Sequence, residues 1–250
     1  MAPPLRRAQG RPLRRAQGRP LRLALPSEER LLGPTRALLA RAGVVLQGYE
    51  SATRRYRLPV RGPLPATAAM LRDRDIPVQV GVGNYDLGVC SLVWVEELLA
   101  RYPSSGLVKL FDLGAAPATV YAARWRKGAR AGADERRPFE ASRARPLRVV
   151  TEQPNLAERF VQEQRWPYVA LFPVWDRAEV YLPEHADLAV LAAASEQEIG
   201  SLGLKPVATI LRSTAFVVAH APSLEQRDMS PLLERLAEAA RADTDHGDGD

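Results

Sequence analysis

YDLGVCSLVWVEELLARYPSSGLVKLFDL, running from Tyr85 to Leu113, changes its apolar periodicity twice within 29 residues. Tyr85–Cys90 reads as a short buried strand. Val93–Tyr102 sets apolar residues at helical spacing, and Gly106–Leu113 returns as a strand. A strand, a helix of about ten residues and a second strand form the repeating unit of α/β folds.

Working outward, the same alternation continues. Just upstream, Asp75 precedes Ile76–Pro77, and proline is favoured at a first helical position, so a short helix is expected to about Gly83. Leu21–Pro26 (LRLALP) alternates apolar positions and reads as the opening strand. Ser27 is placed to cap a helix with Glu28 and Glu29 in its first turn, Leu31, Leu32, Leu38 and Leu39 on one face, and Gly43 at its end. Gly33–Pro34 makes the start of that helix irregular. Downstream, Ala118–Arg124 reads as a strand, and residues 124–148, rich in Arg, Ala, Gly and Pro, as a surface insertion. Leu147–Thr151 is a strand. Asn155 with Glu158 reads as a capping box opening a helix to about Gln164. Tyr168–Phe172, Glu179–Leu182, Val207–Leu211 and Ala215–Ala219 read as strands, and Ser230–Pro231 opens a last amphipathic helix carrying Leu232, Leu233 and Leu236. The expectation is an α/β class with mostly parallel sheets.

Composition excludes several functions. The single cysteine, Cys90, rules out a disulfide framework and a cysteine-based zinc site, and fits a reducing compartment. No apolar run reaches the roughly 20 residues that span a bilayer, so no membrane role is expected. The basic N-terminus has no apolar segment behind it, so no secretory signal is read there and the expected location is cytoplasmic. Residues 1–22 hold seven arginines and no acid, so removing them takes the net charge from +6 to −1. The basic character thus belongs to a tail containing LRRAQGRP twice in succession (Leu5–Pro12 and Leu13–Pro20), and no nucleic-acid partner is expected. The tail and the acidic end after Asp243 are expected to be disordered.

Four segments, in order, carry a family resemblance: LALPSEERLLGPTRALLARAGV (Leu23–Val44), LRDRDIPVQVGVGNYDLGVCS (Leu71–Ser91), RVVTEQPNLAERF (Arg148–Phe160), and HADLAV followed by LGLKPVATILRSTAFVV (His185–Val190, Leu202–Val218). Together they resemble the catalytic chain of ATP phosphoribosyltransferase, in its short form. The resemblance implies an α/β, two-lobed periplasmic-binding-protein-like (type II) fold with a cleft between the lobes. Lobe I would comprise residues 22–112 plus 204–222 and lobe II residues 113–203. Residues 1–21 and 243–250 are tails, and 229–242 a C-terminal helix. It implies a glycosyltransferase that moves the phosphoribosyl group of phosphoribosyl pyrophosphate (PRPP) to N1 of the ATP adenine, with Mg2+ on the departing pyrophosphate. It also implies an oligomer and a regulatory subunit similar to histidyl-tRNA synthetase.

The substrate-binding residues the resemblance implies are Arg30, Asp75, Asp86, Thr151, Glu152, Glu179, Asp187 and Ser195, with no side chain assigned a covalent step. Each also has a plainer reading: Arg30 as an exposed helix arginine, Asp75 as a helix cap, Asp86 as a turn cap, and Trp166 and Trp175 as packing residues rather than platforms for a base. The family's phosphate loop is altered. Its acid is replaced by Leu191, its first threonine by Ser195, its glycine by Glu196 and its second threonine by Glu198. Two carboxylates on such a loop oppose a phosphate, which opens the alternative of a catalytically impaired relative acting as a binding or regulatory subunit. Ser27, with Glu28 and Glu29, likewise stands where the family carries a lysine.

Overall fold

A computed structural model of the chain describes residues 19–50, 56–126 and 145–244. The repeat tail, most of the expected surface insertion and the acidic end lie outside the described residues.

A seven-stranded sheet has the order β2-β3-β4-β1-β5-β12-β6. Its strands are β1 (Leu21–Pro26), β2 (Val45–Leu46), β3 (Arg57–Arg61), β4 (Ala66–Leu71), β5 (Leu87–Ser91), β6 (Leu107–Asp112) and β12 (Ala215–His220). The period-2 alternation of β1 explains its layers. Leu21, Leu23 and Leu25 point to one face, under α1 (Glu29–Arg41) and α7 (Ser230–Thr244), with Leu31, Leu38, Leu39, Leu232 and Leu236. Ala24 points to the other, under α2 (Ile76–Gly81) and α3 (Leu92–Arg101), with Ile76, Val80 and Val95. Gly88 of β5 has to be small: a Cβ there would sit 2.7 Å from Ile76 Cγ2 and 3.0 Å from Val80 Cγ2. That absent side chain lets α2 lie directly on the sheet.

A five-stranded sheet has the order β11-β7-β10-β8-β9. It is built from β7 (Ala118–Trp125), β8 (Leu147–Thr151), β9 (Val169–Pro173), β10 (Leu188–Ala193) and β11 (Leu204–Ser213), with α4 (Pro154–Glu163), α5 (Glu196–Ser201) and a 3-10 turn at Ala178–Tyr181. Leu188 and Val190 pack toward Leu156 and Phe160 of α4; Ala189 and Leu191 pack toward Ile199 of α5 and Leu204. A short helix, α6 (Ala221–Gln226), links β12 to α7.

Several expectations are corrected. The sheets are mixed: β1–β4, β1–β5, β8–β10 and β8–β9 are parallel, and the other strand pairs antiparallel. The segment from 204 is the edge strand of the second sheet, so the chain returns to the first sheet at Ala215. Glu179 lies in the 3-10 turn, not a strand. The N-cap of α1 is Glu28, not Ser27, and the helix runs through Pro34. Asn155 and Glu158 make no capping box: the N-cap of α4 is Gln153, and its free N–H groups go to another helix.

The chain crosses between sheets twice, after Asp112 and after Ser213, and the crossings are tied side by side. Leu113 N–H donates to Ala215 O and Ala215 N–H to Ala115 O, both at 2.8 Å. Asp112 Oδ1 accepts from Gly114 N–H (2.8 Å) and Thr214 Oγ1 (2.5 Å).

Candidate functional site

In open α/β sheets, ligands bind beyond the carboxyl ends of parallel strands, where backbone and helix N-termini are exposed between connections. Here the carboxyl ends of β1, β4 and β5 on one lobe face those of β8, β9 and β10 on the other. The Arg74 guanidinium, just after β4, lies 5.4 Å from the ring centroid of Trp175, just after β9. The cleft between the lobes is the candidate site.

On the first lobe, Arg30 in the opening turn of α1 donates to Ser91 Oγ at 3.0 Å. Asp73 accepts from Ser91 N–H at 2.7 Å and also bonds Ser91 Oγ, while its own N–H goes to Glu28 Oε2 at 2.9 Å. Burial pushes the Asp73 carboxyl up to about 6; its bonds to Ser91 act the other way. Arg72 is exposed, with no acidic partner among the described residues.

The second lobe presents acid. Glu152, directly after β8, is raised above the ordinary carboxylate range, first by burial and then by Asp176 and Glu179, while N–H groups of Ala178 and Arg177 hold its charged form. Thr151 is buried, and its Oγ1 accepts from Gln153 N–H at 2.9 Å. The Arg177 guanidinium meets Glu179 at 3.2 Å.

Two helix N-termini border this lobe's side of the cleft, and the protein sets one of its own carboxylates at each. Glu97, reaching from α3 of the first lobe, accepts from Asn155 N–H (2.9 Å) and Leu156 N–H (2.8 Å) of α4, and burial raises its pKa. At α5, Ser195 Oγ accepts from Glu198 N–H at 3.2 Å, and Glu198 Oε2 accepts from Ala194 N–H at 2.7 Å. That pair is a variant of the capping box, its carboxylate reaching the N–H one residue before the N-cap. The Ala194 and Glu198 N–H groups of this loop are thus engaged within the protein, which leaves fewer to attract an anion. Leu191, the position to which the resemblance assigns the family's acid, is buried in the core with Ile199 and Leu204.

The structure therefore gathers Arg30, Thr151, Glu152, Glu179 and Ser195 at the facing strand ends. Asp75 lies at the rim, its carboxylate exposed and 3.9 Å from Arg74 Nε. Two expected residues sit elsewhere. Asp86 precedes β5, at the opposite end of the sheet, held by Arg22 (3.2 Å), Arg227 (2.9 Å) and Ser223 Oγ (2.9 Å). Asp187 precedes β10, a full strand from Ser195, and pairs with Arg148 and Arg145 at 2.9 Å each. Burial works to raise its pKa, but the hydrogen bonds from Arg148 and Arg145 together outweigh it and the pKa is lowered. Neither is placed to touch a ligand in the cleft. The sequence reading missed Asp73, which is indistinguishable from Asp75 before folding, and Glu97, whose partner is nearly sixty residues away.

Fold and site together define a two-lobed, periplasmic-binding-protein-like α/β protein with a charged interlobe cleft. The GluR0 ligand-binding core from Nostoc punctiforme, solved with L-glutamate, shares this architecture at a TM-score of 0.51 and 13% identity, covering 91% of this chain and 94% of that one. The ATP phosphoribosyl transferase (HisG:HisZ) complex from Thermotoga maritima aligns at 0.68 and 19% identity, over 90% of this chain and 99% of that one. A curated ATP phosphoribosyltransferase from Gemmatimonas aurantiaca is 32% identical over 87% of this chain and 72% of its own length. The family model "HisG: ATP phosphoribosyltransferase" matches residues 72–238. The chain belongs to the ATP phosphoribosyltransferase family, transferases of the first step of histidine biosynthesis.

Among the described residues, no helix is long and apolar enough to cross a membrane.

Proposed function

We propose that the chain transfers the phosphoribosyl group of PRPP to N1 of the ATP adenine and releases pyrophosphate. Beside family membership, the observation that carries this reading is the polarity of the cleft. Arg30, Arg72 and Arg74 stand on one wall, beside Glu28, Asp73 and Asp75, and Glu152, Asp176 and Glu179 on the other, beside Arg177. In the transfer, the bond from C1 to pyrophosphate breaks as the bond from C1 to N1 forms. The protein supplies no covalent step. Its work is to hold two polyanions in line and to stabilise the charge that departs, which arginines on one wall suit.

The donor set fits Mg2+ carried in by pyrophosphate rather than caged by protein. No group of three or more metal-binding side chains occurs among the described residues, and Mg2+ is commonly held by one or two carboxylates plus substrate phosphates. Glu152 and Asp176 would be those carboxylates. When bound, the ion neutralises pyrophosphate charge. A histidyl-tRNA-synthetase-like regulatory subunit and an oligomeric state belong to the same proposal.

The test is Mg2+-dependent pyrophosphate release from the purified chain. It is expected only with ATP and PRPP together. Release that is absent under all conditions, from folded protein supplied with a regulatory subunit, would overturn the assignment.

The capping box at Ser195 and Glu198 favours a second reading: a relative that keeps the cleft but has lost the phosphate site, and serves as a binding or regulatory subunit. Calorimetric titration with PRPP and Mg2+ separates the two. Micromolar binding supports the transferase, and no binding supports the subunit.

A further inference from the structure

Trp175 is 82% exposed, the most exposed large apolar side chain among the described residues. Neither the packing of its lobe nor the transfer chemistry accounts for it. Its location is specific: it follows β9 at the cleft mouth, where Val174 N–H donates to Thr151 O at 2.8 Å and continues the line of β8. One face of the indole lies under the Arg74 guanidinium of the opposite lobe. With one face covered and the ring still this exposed, the other face is open. The cation behind the ring favours this orientation, which lessens the ordering that an incoming flat group must impose.

The surroundings select what stacks there. Glu152, Asp176 and Glu179 make this wall acidic. Its carboxylate oxygens accept hydrogen bonds, so it suits a neutral base with an exocyclic amine. A base presenting an oxo group at that position would set acceptor against acceptor. The arginines across the cleft lie on the side suited to a phosphate tail.

We infer that the open face of Trp175 is the stacking platform for an aminopurine base, with the acidic wall beside it reading the exocyclic amine and Arg74 acting as a positioning residue for the ring. This rests on the proposal that the cleft binds ATP, and it names the residue that holds the base.

The test uses the full chain and fluorescence titration with ATP, adenosine and inosine. Adenosine is expected to quench tryptophan emission and to bind more tightly than inosine. Trp175→Ala is expected to lose the quench and weaken ATP and adenosine binding about tenfold, the order of one base–aromatic stack. Trp175→Phe is expected to restore most of that loss, because the phenyl ring still stacks. PRPP binding, followed by calorimetry, is expected to be unchanged in both variants. Equal adenosine affinity in wild type and Trp175→Ala would overturn the inference. So would a wild type that binds no adenine compound up to millimolar concentration, or an alanine variant whose only change is in oligomeric state. Pyrophosphate release is read separately: a protein that stacks adenosine on Trp175 yet transfers nothing refutes the transferase reading and leaves this one standing.

Discussion

Asp73 and Asp75 are the same residue type two positions apart, and folding gives them opposite environments. Asp73 is buried against Ser91 with its pKa near 6, whereas Asp75 faces solvent at the rim. Because the folded-state pKa of Asp73 lies above its unfolded value, its contribution to stability is complete below about pH 4 and is lost as pH rises through about 6. Asp73→Asn keeps an acceptor for Ser91 N–H and cannot ionise. Its melting temperature is therefore expected to gain on wild type between pH 5 and pH 7, and a gap independent of pH would show that Asp73 does not titrate there. Leu191 makes a second residue-scale point. The resemblance assigns the family's acid to this position, yet the Leu191 side chain belongs to the apolar core. Leu191→Asp is expected to lower the unfolding free energy by more than about 3 kcal/mol, from lost burial and a buried unpaired charge, measured by urea titration. The family's acid cannot be restored here by one substitution without repacking Ile199 and Leu204.

At the scale of elements, the helix N-termini hold the main surprise. Asn155 and Glu158 have the spacing of a capping box, but Glu97 reaches the Asn155 and Leu156 N–H groups from a neighbouring helix and supplies a carboxylate more buried than that of Glu158. The real capping box is at Ser195 and Glu198, in the stretch where the altered phosphate loop drew attention for its charge. Its S-x-x-E pattern was legible all along and fits a loop that caps itself. Ser195→Ala is expected to cost about 1 kcal/mol. Glu97→Ala leaves two N–H groups of α4 unpaired in a buried setting and is expected to cost about 2–4 kcal/mol, with Glu97→Gln costing less because it keeps one acceptor. Urea unfolding checks both, and a Glu97→Ala loss under 1 kcal/mol would mean that water replaces the carboxylate. Strand and helix positions were otherwise readable from periodicity. The exceptions are β2 and β3, too brief and polar to register, β4 and β10, rich in alanine without a polar alternation, the six-residue helices α5 and α6, and Ala178–Tyr181, whose strand-like residues are drawn into a 3-10 turn.

For the whole molecule, two features couple the lobes: the paired crossings clasped by Asp112, and Glu97 with Val93 of α3 engaging α4 and the second lobe's core. Unfolding of the wild type is expected to be one transition, coincident by fluorescence and far-UV circular dichroism. Asp112→Ala combined with Glu97→Ala is expected to split those curves; coincident curves in the double variant would place the coupling elsewhere. The α/β class, the family and most of the elements are legible along the chain, because they depend on local periodicity, turn residues and motif order. Only the tertiary structure decided that the sheets are mixed, that the return to the first lobe comes at Ala215, that Asp86 and Asp187 sit in ion pairs far from the cleft, and that Trp175 stands exposed beneath Arg74. Each of these depends on contacts between residues distant in sequence. Which end of a strand faces the cleft, and which carboxylate reaches a free N–H first, is fixed by packing in three dimensions.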